Sequence, residues 1–143
     1  MDAVAGTTLF YPPPNRGGID MPESGVPASV AIVDDDPQLV KTYELLFQRR
    51  KVPIAFIAYD GFAALERFQK ADPRPAVAII DYRMPAMSGI DLMRELLKIE
   101  PTTRIVLISA DDSVRQEAID AGANVFLKKP AGLNEIMQSI RPA

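Results

Sequence analysis

The sequence predicts an α/β domain built on a five-stranded parallel sheet with helices on both faces. Five short, continuously apolar segments alternate with amphipathic segments along residues 29–143. Strands of continuous apolar character are buried on both faces, and strand–helix alternation calls for right-handed crossovers between parallel strands. For five strands, the open doubly wound arrangement with strand order 2-1-3-4-5 fits this pattern.

The composition narrows the chemistry available to the chain. Its 143 residues are 48% hydrophobic and 24% charged, which suits one compact domain with a sizeable core. The absence of cysteine and histidine excludes disulfides, thiolate sites and histidine-based acid–base or zinc chemistry. The net charge of −3 provides no basic surface for direct contact with nucleic acid. Carboxylates, hydroxyls, lysine and arginine remain.

Residues 1–28 are expected to form an irregular or disordered extension ahead of the domain at 29–143. This stretch is rich in proline and glycine and has neither a helical nor an alternating apolar pattern. No apolar run in the chain approaches the roughly 20 residues of a membrane span. The N-terminus also lacks the features of a signal peptide. We therefore expect a cytoplasmic protein without membrane contact.

The five predicted strands are short apolar runs, most of them bounded by polar or turn residues. Their sequences are SVAIVD (29–34), IAFIA (54–58), AVAIID (76–81), RIVLIS (104–109) and NVFLK (124–128).

Caps and apolar spacing predict the five helices between and after the strands. Asp36-Pro37 supplies an N-cap and a proline at the first position of helix one, and Asp60 can cap helix two. Asp112 or Ser113 can cap helix four, which Gly122 closes. The predicted apolar faces comprise Leu39, Val40, Tyr43, Leu46 and Phe47; Phe62, Leu65 and Phe68; Ile90, Met93, Leu96 and Leu97; Val114, Ala118 and Ile119; and Leu133, Ile136, Met137 and Ile140.

Polar side chains stand at the carboxyl ends of four strands: Asp34–Asp36, Asp81, Ser109 and Lys128–Lys129. Ligands of open α/β sheets bind outside these ends, where strand order reverses. Strands one and three are neighbours in the predicted order, so their aspartates are expected to converge. Clustered carboxylates repel unless a cation holds them, and Mg²⁺ leaves room for a phosphoryl oxygen. Each residue taken alone could be a helix cap, a loop residue or a solvated charge. Their joint placement at the ends of four strands predicts a site for a metal and a phosphate.

Four segments carry the pattern of a known family, in its order and close to its spacing. They are VAIVDDDP (30–37), IIDYRMPAMSG (79–89), LISA (107–110) and AGANVFLKKP (121–130). On these motifs, residues 29–141 resemble the CheY-like receiver domain of response regulators in two-component signalling. The D-x-x-M-P-x-M-x-G run is fairly specific alone and very specific with the other three. The resemblance implies a flavodoxin-like three-layer sandwich.

The resemblance implies a phosphoacceptor site that binds Mg²⁺. Asp81 would accept the phosphoryl group, so that the protein would modify itself rather than turn over a separate substrate. Asp35 would ligate Mg²⁺ directly and Asp34 mainly through water, with the backbone carbonyl of Arg83 as a further ligand.

The resemblance also assigns residues that would bind the phosphoryl group and respond to it. Ser109 would hydrogen-bond a phosphoryl oxygen, and Lys129 would pair with Asp81 and then with the phosphate. Phe126 matches an aromatic residue whose rotamer follows phosphorylation, and Lys129-Pro130 matches a cis peptide bond.

The resemblance also implies two positions that tune the lifetime of the phosphoryl group. Arg83 and Asp111 lie two residues past the acceptor and the serine, and their opposite charges suit a pair across the pocket mouth. The interval from Ser109 to Lys129 is about two residues shorter than most of the family shows, so a tight loop is expected before helix four. Ala131-Gly132 stands where the family usually has an aromatic residue.

The implied partners are proteins. A sensor histidine kinase or phosphotransfer protein would supply the phosphoryl group. A downstream protein would bind the surface formed by helix four, strand five and helix five, and nucleic acid would not be contacted directly. The residues of this surface expected to be exposed are Arg115, Gln116, Asn134, Glu135 and Gln138.

Two other functions remain open on the sequence alone. Asp34-x-Asp36 after an apolar strand imitates the first motif of haloacid-dehalogenase-type phosphatases, although only Glu135 stands where that family needs an acidic pair. A pseudo-receiver would serve as a binding module without being phosphorylated. The chain would be either a stand-alone receiver or part of a longer regulator or hybrid kinase.

Overall fold

A computed structural model of the protein describes residues 26–141, which form a five-stranded parallel sheet. The strand order is β2-β1-β3-β4-β5. This order confirms the predicted fold class and topology. The strands are β1 (Val30–Val33), β2 (Ile54–Ala58), β3 (Val77–Asp81), β4 (Arg104–Ser109) and β5 (Val125–Lys128).

Helices follow each strand, so the described chain alternates β and α five times. A short 3-10 turn, Asp112–Val114, precedes the fourth helix. The helices are α1 (Pro37–Arg49), α2 (Gly61–Lys70), α3 (Gly89–Ile99), α4 (Arg115–Asp120) and α5 (Leu133–Ser139).

Successive side chains of the central strands point in turn to opposite faces of the sheet, and each face is covered by an apolar layer. In β1, Ala31 and Val33 face the cluster that contains buried residues of α2, α3 and α4. Val30 and Ile32 face the opposite cluster, with buried residues of α1 and α5. Every residue of β1 and β3 is buried, as expected for strands covered on both faces. The sheet therefore forms the rigid middle layer that carries the strand ends.

The register of the sheet brings the strand ends into line. Val33 of β1 pairs with Ile80 of β3, so the residues that follow them, Asp34 and Asp81, lie side by side. Ser109 at the end of β4 pairs with Lys128 of β5.

The predicted caps of the first two helices are confirmed. The Asp36 carboxylate accepts a hydrogen bond from the Gln38 N–H, and that of Asp60 accepts one from the Ala63 N–H. Ser88, which the sequence analysis did not identify as a cap, accepts from the Asp91 N–H at the start of α3. Each bond satisfies an amide that has no partner within its helix.

The predicted cap of helix four was wrong. Asp111, rather than Asp112 or Ser113, accepts the Ser113 N–H at 2.9 Å and caps the 3-10 turn. The helix α4 then begins at Arg115 without a side-chain cap. The 3-10 turn causes this difference, because it places Asp112 and Ser113 inside the turn rather than ahead of it.

Three residues assigned to apolar faces are exposed instead: Phe62, Ile119 and Leu133. In α2 the buried positions are Gly61, Ala64 and Phe68. At 3.6 residues per turn, position 62 points away from that stripe. The apolar spacing therefore predicted the buried face of each helix correctly, but it also assigned to that face residues at its edges that are exposed.

The predicted N-terminal extension, residues 1–28, lies outside the described residues except for its last three. Within those three, Val26 packs on the layer beside α1 and α5, and Pro27 is buried. Among the residues described, none of the helices is both long and apolar enough to cross a membrane.

Candidate phosphoacceptor site

Three aspartates gather at the carboxyl edge of the sheet. The carboxylate oxygens offered by Asp34, Asp35 and Asp81 lie within 4.8 Å of one another. Asp34 and Asp81 are only 2% and 5% exposed, whereas Asp35 is exposed. The neighbouring positions of β1 and β3 cause this convergence, because both carboxylates stand where their strands end.

Lys129 supplies the positive charge that faces this cluster. Its Nζ lies 2.8 Å from Oδ1 of Asp81 and 3.4 Å from Oδ2 of Asp34. Three carboxylates around one ammonium leave an excess of negative charge when all four groups are ionised. The site thus favours a further cation.

Backbone contacts hold the acidic side chains in place. The Asp34 carboxylate accepts the Asp36 N–H at 2.9 Å. Asp36 itself accepts amides of α1 and acts as a helix cap, the ordinary alternative that its sequence position offered.

Burial dominates the ionisation of this cluster. Desolvation raises the pKa of Asp81 to about 6, opposed by the hydrogen bond from Lys129 and reinforced by the charges of Asp34 and Asp35. The pKa of Asp34 is also raised, again mainly by burial. Desolvation works to lower the pKa of Lys129, but its contacts with Asp81 and Asp34 outweigh this effect and raise it.

The donor set fits a hard divalent cation. Carboxylate oxygens are ligands that Mg²⁺ and Ca²⁺ prefer, and two of these three are desolvated, so that bound charge would relieve their repulsion. Asp34, Asp35 and Asp81 are the residues that would hold such an ion. The exposed Asp35 leaves one side of the cluster open to solvent.

Ser109 and Lys129 are joined through the ends of β4 and β5. The Lys129 N–H donates to the Ser109 carbonyl at 2.9 Å, which fixes both residues beside the acidic cluster. The Ser109 side chain is buried, and its Oγ accepts the Asp111 N–H at 3.0 Å. The peptide bond between Lys129 and Pro130 is cis, as the family resemblance implied.

The charge of Arg83 acts on the Asp111 carboxylate, but the hydrogen bonds of that carboxylate are with Ser113. Its Oδ1 accepts the Ser113 Oγ–H at 2.6 Å and the Ser113 N–H at 2.9 Å. These bonds, with a further contribution from the charge of Arg83, lower the pKa of Asp111. The Arg83 side chain is exposed. Asp111 therefore shapes the turn before α4, while Arg83 extends into solvent.

Phe126 lies in the buried layer beside α4. Its side chain is 6% exposed and belongs to the same apolar cluster as Leu107 and Ala118. The guanidinium carbon of Arg115 lies 4.7 Å from the centre of the Phe126 ring.

Gly89 is a site residue to which the sequence analysis assigned no role. A Cβ atom at this position would lie 2.4 Å from the backbone oxygen of Asp81, closer than a real side chain comes to backbone. The Gly89 N–H donates to the Tyr82 carbonyl at 2.8 Å, which folds the segment after β3 back onto the strand end. The glycine that ends the D-x-x-M-P-x-M-x-G run was the available signal.

Comparison with known proteins identifies the family. Residues 30–141 match the response regulator receiver domain. The chain belongs to this family. As a receiver domain of two-component systems, it has a signalling role that is consistent with the acidic cluster at its sheet edge.

Curated relatives of this receiver domain include both short and long proteins. The chemotaxis protein CheY of Thermotoga maritima is 30% identical over 113 residues, covering 78% of this chain and 92% of that protein. The transcriptional regulatory protein KdpE of Mycobacterium tuberculosis is 33% identical over 116 residues, covering 80% and 50%. The chain thus spans about half the length of several relatives it matches.

Solved structures share the fold. The receiver domain of NarL from Mycobacterium tuberculosis aligns with a TM-score of 0.72 at 33% identity, covering 79% of this chain and 92% of that one. CheY of Borrelia burgdorferi, in a complex with CheX, beryllofluoride and Mg²⁺, aligns with a TM-score of 0.75 at 27% identity, covering 82% and 90%.

Proposed function

We propose that this receiver domain accepts a phosphoryl group on Asp81 from a sensor histidine kinase or a phosphotransfer protein, in a reaction that requires Mg²⁺. One observation carries the proposal: three carboxylates and the Lys129 ammonium converge at the carboxyl edge of the sheet. The protein would modify itself and then signal through contacts with other proteins.

Asp81 suits the role of nucleophile because its carboxylate is held beside a fixed cation. In the transfer, an Asp81 carboxylate oxygen forms a bond to phosphorus while the bond from phosphorus to the donor's imidazole nitrogen breaks. The electron pair leaves with the imidazole. For phosphoryl transfer the protein mainly has to position the reacting groups and stabilise the charge that develops. The sheet edge would supply the position, and Lys129 would supply positive charge.

Asp34, Asp35 and Asp81 would hold the metal, and the backbone carbonyl of Arg83 is proposed as a further ligand. When bound, Mg²⁺ supplies positive charge against the carboxylates and the phosphoryl oxygens. Asp34 is already engaged by Lys129 and by the Asp36 N–H, while Asp35 is exposed. This difference supports direct ligation by Asp35 and a mainly water-mediated role for Asp34.

The phosphoryl group would act on the neighbouring strand ends. It adds charge and three acceptor oxygens, to which the Lys129 ammonium and the Ser109 hydroxyl would donate. Ser109 reaches Asp111 and the turn before α4 through its Oγ. The response would therefore spread to Phe126 and to the surface of α4, β5 and α5.

A downstream protein would bind that surface. The five residues expected there are exposed, although Arg115 covers Phe126 and Gln116 donates to Asp120 at 2.8 Å. Arg83 and Asp111 would set the lifetime of the phosphoryl group by controlling the approach of water to it. Asp111 would act through the turn that it caps.

A relative supports the same chemistry. The Borrelia burgdorferi CheY structure contains beryllofluoride and Mg²⁺ together with the protein CheX. Beryllofluoride mimics a phosphoryl group, so this structural relative supports the proposal that a receiver domain of this fold takes up such a group together with Mg²⁺.

Uptake from acetyl phosphate with Mg²⁺, followed by intact mass, tests the proposal. We expect the unaltered protein to gain one phosphoryl group and Asp81→Asn to gain none. Asp91→Asn serves as a control, since Asp91 is an exposed aspartate that pairs with Arg94 on α3. No uptake by the unaltered protein would favour the pseudo-receiver alternative and contradict the proposal.

A further inference from the structure

The ring of Phe126 is covered by a cation that belongs to this chain. The Arg115 guanidinium carbon stands 4.7 Å from the ring centre, within the range in which a cation is attracted to an aromatic face. Phe126 is 6% exposed. The aromatic residue expected to respond to phosphorylation is therefore buried beneath Arg115.

Asp112 pairs with this cation. Its Oδ1 lies 3.4 Å from the Arg115 Nη2, and its Oδ2 lies 3.4 Å from the Lys128 Nζ. Lys128 directly precedes Lys129, which pairs with Asp81. Asp112 thus joins the start of α4 to the end of β5.

The same turn reaches the site from its other side. The Ser109 hydroxyl accepts the Asp111 N–H, and Asp111 caps the 3-10 turn that leads to Arg115. A movement of Ser109 toward a phosphoryl group would displace that turn. The cover over Phe126 and the phosphoryl site therefore share the segment from Asp111 to Arg115.

We propose that Arg115 is a positioning residue that holds the Phe126 ring in its buried position before phosphorylation. The inference rests on the proposed function, because it concerns how that site is coupled to its surface. Burial of Phe126 is the arrangement that a phosphoryl group on Asp81 would favour. Arg115 thus biases the free protein toward the phosphorylated arrangement.

The expected bias is small because Arg115 is exposed on its outer side. A cation over an exposed aromatic ring shifts an equilibrium by about two- to fivefold. Coupling between two sites is reciprocal, so loss of the bias weakens binding at the phosphoryl site by at most the same factor. The effect is expected to pass through Phe126, because the Arg115 guanidinium contacts the ring directly, whereas its ion pair is with Asp112 rather than with an aspartate of the acidic cluster.

The contact itself is tested by NMR on the free protein. The ring of Phe126 should shift the Arg115 side-chain protons upfield, and Phe126→Leu should abolish that shift. If the Arg115 side-chain protons have the same unshifted resonances in both proteins, Arg115 does not cover the ring and the proposal is overturned. This result does not depend on phosphorylation.

The coupling is tested by titrating beryllofluoride at fixed Mg²⁺ and observing the bound species by fluorine NMR. We expect Arg115→Ala to weaken beryllofluoride binding by about two- to fivefold, with Arg115→Lys retaining part of the effect. Glu117→Gln, at an exposed position on the same helix that faces Arg94 of α3, should bind normally. In the Phe126→Leu background, Arg115→Ala should change nothing further.

The outcomes separate the two proposals. Tighter or unchanged binding by Arg115→Ala, or a loss that persists in the Phe126→Leu background, would overturn the role of Arg115 alone. Failure of the unaltered protein to bind beryllofluoride would overturn the proposed function, and this inference with it. Thermal melting of each variant distinguishes a loss of binding from a loss of folded protein.

Discussion

The Lys129 ammonium lies 2.8 Å from the Asp81 carboxylate, and both side chains are held at the ends of parallel strands. The pair is buried on the Asp81 side and partly open on the Lys129 side, with side-chain exposures of 5% and 26%. A buried carboxylate in such a pair depends on its partner, because water cannot replace the lost charge. Lys129 therefore stabilises the ionised form of the Asp81 carboxylate.

Removal of that ammonium should destabilise the protein. We expect Lys129→Gln to lower the free energy of unfolding at pH 7 by roughly 1–3 kcal/mol, because Asp81 and Asp34 lose their counter-charge. Urea denaturation measures the change. Lys128→Gln is the matched control, since the exposed Lys128 pairs with the exposed Asp112 within residues 26–141 and its loss should change stability little. Equal losses from both variants would contradict this account of Lys129.

The ionisation of Asp81 should make stability depend on pH. Its pKa in the folded protein is about 6, above the ordinary 3.8, so the folded state holds the proton more tightly than the unfolded state. Stability is therefore lost as pH rises from 3.8 through 6. Asparagine does not ionise, so the Asp81→Asn variant avoids this loss. Its free energy of unfolding at pH 7 should exceed that of the unaltered protein by roughly 1–3 kcal/mol.

The comparison of unfolding free energies at two pH values checks this expectation. Below the ordinary pKa of 3.8, Asp81 is protonated in both states, so the advantage of Asp81→Asn over the unaltered protein should disappear. An advantage of the same size at low and neutral pH would show that it does not arise from the ionisation of Asp81.

Gly89 should tolerate no side chain. A Cβ atom would meet the Asp81 carbonyl oxygen at 2.4 Å, so Gly89→Ala must displace the backbone at the end of β3. We expect a loss of roughly 1–3 kcal/mol in unfolding free energy and slower phosphorylation of Asp81. At Gly132 the nearest atom to a Cβ would be 3.6 Å away, so Gly132→Ala is the control. If both variants fold and react alike, the close approach at Gly89 is not a constraint.

The two members of the acidic pair should differ in their effect on metal binding. Asp35 is exposed and available to an ion, whereas Asp34 is buried and bonded to Lys129 and to the Asp36 N–H. Calorimetry with Mg²⁺ should therefore show a larger loss of affinity for Asp35→Asn than for Asp34→Asn. An equal loss, or the reverse order, would show that the two roles have been assigned wrongly.

The sequence was sufficient for the fold and for the gathering of the acidic residues. In a parallel sheet the carboxyl ends of all strands lie on one edge, so the strand order alone brings Asp34 beside Asp81. The chemistry of each residue type then limited what such a cluster could bind.

Other features depend on contacts that local patterns do not encode. Asp111, Asp112 and Ser113 are adjacent candidates for a cap, and the start of the 3-10 turn at Asp112 makes Asp111 the cap. The need for glycine at position 89 arises from the approach of the Asp81 carbonyl. The stacking of Arg115 on Phe126 joins α4 to β5 and requires their tertiary packing.

The central claim, that Asp81 is the phosphoacceptor, is tested most directly by identifying the modified residue. Reduction of an aspartyl phosphate with borohydride releases phosphate and converts the aspartate to homoserine, which peptide mass spectrometry locates. After treatment with acetyl phosphate and Mg²⁺, we expect homoserine at position 81 and aspartate at positions 34, 35 and 36. Homoserine at position 34 with Asp81 unchanged would instead match the phosphatase alternative and would contradict the account.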